Sequence, residues 1–70
     1  MTTKQALQYT ARTPHSDGTV FDHFGTVEGA RRKARKYARD AFPAWTYANY
    51  GPLIVVSDAT TGEVLLSERM

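Results

Sequence analysis

The sequence predicts an α+β domain in which a four-stranded antiparallel sheet, in ββαββ order, carries one amphipathic helix on one face. Three patterns lead there: a β-prone pair of runs around a glycine turn near the start, a second such pair near the end, and between them one stripe of small apolar residues recurring every three or four positions. With 70 residues the chain has material for one hydrophobic core, so residues 1–70 read as a single small domain.

From Lys4 to Arg12, Leu7, Tyr9 and Ala11 alternate with Gln8, Thr10 and Arg12, the period of two expected of a strand with one buried face. Pro14 ends it. The run Pro14-His15-Ser16-Asp17-Gly18 holds the residues that turns select, and Gly18 is free to take positive φ. Thr19 to Phe24, with Val20, Phe21 and Phe24, reads as a second strand closing a hairpin and ending at Gly25. Thr26 is placed to cap a helix, and Glu28 sits where the positive end of the helix dipole favours an acid. Val27, Ala30, Ala34, Tyr37, Ala38 and Ala41 then form one stripe at a period of 3.6. A stripe so rich in alanine lets the helix lie close to its sheet but buries little area, which leaves Tyr37 to supply much of the contact. Pro43 stops the helix, because Phe42 before it is pushed out of the α region.

Residues 44–52 form a long connection carrying Trp45, Tyr47 and Tyr50. Leu53 to Val56 is a β-branched apolar run, Asp58-Ala59-Thr60-Thr61-Gly62 supplies a turn, and Glu63 to Ser67 resumes as a strand. In this second hairpin Leu53 and Val55 point opposite to Ile54 and Val56, and Leu65 opposite to Val64 and Leu66. Both of its faces are therefore apolar, and a single helix covers one. The other is expected to be covered by the aromatic loop, by a second copy of the chain or by a partner, which makes Leu53, Val55 and Leu65 candidate interface residues.

Composition narrows the function. A hydrophobic share of 41% with 23% charged residues is that of an ordered globule rather than a disordered tail. No apolar run approaches the ~18 residues needed to span a bilayer, and Met1-Thr2-Thr3-Lys4-Gln5 lacks the apolar core of a signal peptide, so a cytoplasmic location is expected. Small cores usually need a disulfide, a structural metal or self-association. With no cysteine and only two histidines the first two are closed, no cofactor is implied, and a homodimer is a live expectation.

The net charge is only +2, yet six of the nine lysines and arginines fall between Arg31 and Arg39. Arg32, Arg35, Lys36 and Arg39 fan over the side of the helix opposite the alanine stripe, where they can meet phosphates, acidic protein groups or simply water. That face offers no asparagine, glutamine or other short polar residue for base edges, so any nucleic-acid contact would be sequence-tolerant. Trp45, Tyr47 and Tyr50 fit three uses: core, interface anchors, or a platform on which unpaired bases stack.

His15, Asp17, Asp22 and His23 lie within nine residues and invite a metal or acid–base reading. Their spacing matches no ligand motif, and Asp22 and His23 are expected as exposed strand residues. Ser16, Ser57 and Ser67 have no sharp glycine-flanked turn, no phosphate-cradling loop is present, and a chain this short is expected to lack walls for a pocket of ~300 Å³. Catalysis is thus not expected. In being short, cysteine-free and single-domain with no evident active site, the chain is similar in outline to the stand-alone proteins of phages and mobile elements, anti-CRISPR inhibitors included. That likeness implies an inhibitor docking on a partner and transfers no site. The leading expectation is a non-enzymatic binding module for a protein or nucleoprotein, using the basic helix, the aromatic loop and the open sheet face. The alternative is a small nucleic-acid-binding protein in which Arg32, Arg35, Lys36 and Arg39 meet phosphates and the tyrosines stack.

Overall fold

Four strands and one helix follow the expected order: β1 (Gln5–Arg12), β2 (Phe21–Gly25), α1 (Val27–Ala41), β3 (Leu53–Asp58) and β4 (Val64–Arg69). They belong to a computed structural model that describes residues 4–14, 17–43 and 51–70. His15, Ser16, Trp45, Tyr47 and Tyr50 lie outside the described residues. The strands form one sheet in the order β2-β1-β3-β4, all neighbours antiparallel. Each hairpin pairs internally, and the two join through the central pair β1 and β3, in register from Leu7↔Asp58 to Arg12↔Leu53. Helix α1 leads from the edge strand β2 back to central β3 and packs chiefly on β1 and β3.

Alternation along the strands decides what the helix covers. On its side β1 contributes Leu7, Tyr9 and Ala11, paired with His23, with Phe21 and Val56, and with Ile54, respectively. Leu66 and Glu68 of β4 lie opposite Val56 and Ile54 and so share that face. Leu7, Ala11, Ile54 and Val56 are buried against Ala30, Ala34 and Ala38 of the helix. The alanine stripe therefore brings helix and sheet together, and the larger β-branched side chains on β3 carry the area. Tyr37, half-buried at the margin of the stripe, meets Phe21 edge-on at 4.9 Å and Phe42 at 5.9 Å, as the sparse stripe requires. Ala41, expected in the stripe, is exposed at its end.

Local chemistry sets the ends. Thr26 is extended (φ −99, ψ 160) and its hydroxyl accepts from the Gly29 amide, while Phe42 leaves the α region (φ −130, ψ 57) ahead of Pro43. Gly18 (φ 72) and Gly62 (φ 80) take the left-handed conformations that their turns require. In the second turn Asp58 Oδ1 accepts from the amides of Thr60 and Thr61 at 2.7 and 3.1 Å, and the Gly62 amide donates to the Asp58 carbonyl at 2.8 Å. The second strand is shorter than expected: Thr19 and Val20 are not in it. Instead, Thr10 of β1 donates its hydroxyl to the Thr19 carbonyl at 2.8 Å, so a side chain holds the chain where ladder bonds were expected.

One feature of β4 departs from strict alternation. Val56 pairs with Leu66 but Ser57 pairs with Val64, so a bulge leaves Leu65 as the extra residue. Val64 and Leu65 both stand opposite Ser57, at the open face, rather than on opposite sides of the strand. They are 57% and 37% exposed.

Candidate binding face of the helix

The six cations of α1 divide into two groups once the sheet is in place. Arg31 and Arg35 lean toward β4, where both reach Glu68 Oε1, at 2.6 and 3.5 Å. Arg31 also donates to Glu28 at 3.1 Å, and Arg32 approaches the same carboxylate at 3.6 Å. The hydrogen bond from Arg31 to Glu68, and then the charge of Glu68, hold the Arg31 guanidinium above its ordinary pKa. Glu68 arrives at this position because β4 alternates: Leu66 and Glu68 share the covered face, so the acid lies under the flank of the helix. That pairing was not foreseen, although the period of two in the strand carries its signal.

Lys33, Lys36 and Arg39 make no ion pair among the described residues and are exposed. Of the predicted row, then, Lys36 and Arg39 point to solvent unpaired, Arg32 is exposed beside Glu28, and Arg35 is partly committed to Glu68. Arg32, Lys36 and Arg39 follow one another over about 10 Å of helix. Trp45, Tyr47 and Tyr50, predicted as partners of this row, lie outside the described residues.

Beside the unpaired cations is a hollow of about 540 Å³ between α1 and β1, lined by Tyr9, Lys33, Lys36, Tyr37, Asp40 and Ala41. The hollow is wide open to solvent, a surface depression rather than a walled pocket, and it lies to the β2 side of the alanine stripe, which is seated over β1 and β3. The floor is held by an aromatic cluster. Tyr9 stacks on Phe21 at 5.4 Å and Phe21 meets Tyr37 edge-on. The Tyr37 hydroxyl in turn accepts from the Thr19 amide at 2.8 Å. These rings are committed to each other, so the helix side offers no free-standing aromatic for stacking among the described residues.

Of the residues weighed as metal ligands, His15 lies outside the described residues, and Asp22 and His23 do not converge. Asp22 and His23 are neighbours on β2 and take opposite faces: exposed Asp22 accepts from Gln8 Nε2 at 3.3 Å, whereas half-buried His23 packs edge-on to Tyr9 at 6.2 Å. His23 is thus an inward-facing residue rather than the exposed one expected. Among the described residues no group of three or more histidine, aspartate or glutamate side chains is placed to hold an ion.

The sheet face away from α1 carries the predicted interface residues; the aromatic loop named as one possible cover lies outside the described residues. Leu53 and Val55 are half-buried there, with Leu65, Val64 and, on β2, Phe24 exposed. Arg12 and Arg69 flank Leu53 in register on either side, so the apolar strip ends between two cations. No helix among the described residues is long and apolar enough to cross a membrane. Compared with protein-family models, curated proteins and solved structures, the chain finds no match.

Proposed function

We propose that the chain is a non-enzymatic binding module that docks on an acidic surface of a protein or nucleoprotein through the outer face of α1. One observation carries the reading: among the described residues Lys33, Lys36 and Arg39 have no ion-pair partner, on a capped helix whose other cations have carboxylates in reach. Cations fixed on a packed helix present a pre-ordered charge pattern, which favours complementary acidic partners and speeds encounter. An inhibitor of the kind that phages and mobile elements encode would act in this way, by occupying the surface its target needs.

A sequence-tolerant nucleic-acid contact is the second reading, favoured by the spacing of Arg32, Lys36 and Arg39 along one line. Two features weigh against it. Glu28 and Asp40 interrupt the positive field, and the described aromatic rings of the helix side pack on each other. Fluorescence anisotropy with a labelled oligoglutamate peptide and a mixed-sequence oligonucleotide separates the two. The protein reading expects oligoglutamate binding that the triple variant Lys33→Glu/Lys36→Glu/Arg39→Glu abolishes. Stronger oligonucleotide binding, with a log–log salt slope of about −3 for three to four phosphate contacts, would transfer the assignment to nucleic acid. Binding of neither probe would remove the helix face as a docking surface.

A further inference from the structure

We infer that the hollow between α1 and β1 is an anchor pocket that receives an aromatic side chain of an acidic peptide segment, while Lys33 and Lys36 hold the carboxylates flanking it. The inference rests on the docking function proposed for the helix face and names what that face recognises. The space of about 540 Å³ is in the ~300 to 1,000 Å³ range of ligand sites but open to solvent, so it offers a floor against which one ring can lie; ligand sites are typically apolar in lining with a few directing polar groups. Here the apolar part is Tyr9, Tyr37 and Ala41, and the directing groups are two ammonium ions and one carboxylate.

The geometry favours a pre-formed floor, open to solvent on its outer side. Tyr9 and Tyr37 are each fixed against Phe21, and Tyr37 is fixed further by Phe42 and by the Thr19 amide. Little side-chain freedom is therefore lost when the hollow fills, which is the condition under which an inserted ring contributes most. Ala41 stands at the lining with only a methyl group, so among the described residues the space beside it is unfilled.

Charge selects the occupant. Lys33 and Lys36, three residues apart, project from one flank of the helix and have no carboxylate partner among the described residues. They match an acid on either side of an inserted ring. Asp40, on the same rim, opposes a phosphodiester strand with its charge on every unit, but it can accept an amide N–H from a peptide backbone. A peptide bearing acids on either side of one ring satisfies all three groups, with a backbone amide for Asp40; a nucleic-acid strand leaves Asp40 facing like charge with no such donor.

The test compares two blocked pentapeptides, acetyl-Glu-Glu-Phe-Glu-Glu-amide and its counterpart with alanine for phenylalanine, titrated against the full chain and followed by amide chemical shifts. The phenylalanine peptide is expected to bind about tenfold tighter, from burial of the ring, and to shift Tyr37 and Ala41. Ala41→Trp, which puts a large side chain into the hollow without removing a cation, is expected to shrink that tenfold difference to about twofold or less. The variant's own amide spectrum reports that it folds. Equal affinity of the two peptides, at a helix face that still binds both, would overturn the pocket and leave the docking function standing. Binding of neither peptide would overturn both. An oligonucleotide that displaces the phenylalanine peptide from Tyr37 and Ala41 and binds more tightly would overturn the peptide assignment.

Discussion

Gly18 and Gly62 share a left-handed backbone but differ in surroundings, and that difference is measurable. At Gly62 a Cβ would meet nothing within 4 Å, so Gly62→Ala bears conformational strain alone, about 1 to 2 kcal/mol. At Gly18 the same methyl would fall against the Ala11 carbonyl oxygen, adding a clash to a similar φ. Gly18→Ala is therefore expected to cost more than Gly62→Ala in urea unfolding; equal losses would mean that the first turn relaxes freely. Thr10 shows what sequence reading misses at this scale. Its place on the solvent side of an alternating strand marked it as exposed, yet it is buried because its hydroxyl holds the Thr19 carbonyl. Nothing in a period of two reports a bond between a side chain and a distant backbone. Gly18, by contrast, was legible, since few residues other than glycine follow aspartate in such a turn.

Capping and ion pairing govern α1 as an element. Thr26→Ala removes the hydroxyl that accepts from the Gly29 amide at 3.0 Å and is expected to destabilise the fold by about 1 kcal/mol, read as a lower urea midpoint at unchanged slope. Glu68→Gln should have a different signature: it releases Arg31 and Arg35 from β4 and adds their charge to the outer field, so oligoglutamate binding should strengthen. Weakened binding would mean that Glu68 orders the helix face rather than neutralising it. The pH sign follows from the direction of the shift. Because Glu68 raises the Arg31 pKa in the folded state, the stabilisation is complete below the ordinary arginine value and is lost only as pH rises past the raised one. Through the neutral range this cation's contribution is constant. The helix and its cap were readable from the stripe and from Thr26. The partition of its cations was not, because it depends on Glu68, 37 residues from Arg31, and on the strand order that puts β4 beside β3.

At the scale of the whole molecule the described residues present two unlike surfaces: a basic helix side with a hollow, and a sheet side with an apolar strip. Alternation in β3 exposed the second surface in advance through Leu53 and Val55. The bulge that adds Val64 beside Leu65 was not visible, because a register shift is set by pairing and not by composition. If the strip closes on a second copy, Leu53→Asp/Leu65→Asp should convert dimer to monomer in light scattering; an unchanged mass would assign the strip to something other than self-association. The central claim, that the outer face of α1 is the docking surface, is tested most directly by mapping amide chemical shifts of the full chain as oligoglutamate is added at low salt. Shifts concentrated on residues 32–41, and lost with Lys33→Glu/Lys36→Glu/Arg39→Glu, are the predicted result. Shifts centred on Arg12, Leu53 and Arg69 of the open sheet face would contradict it.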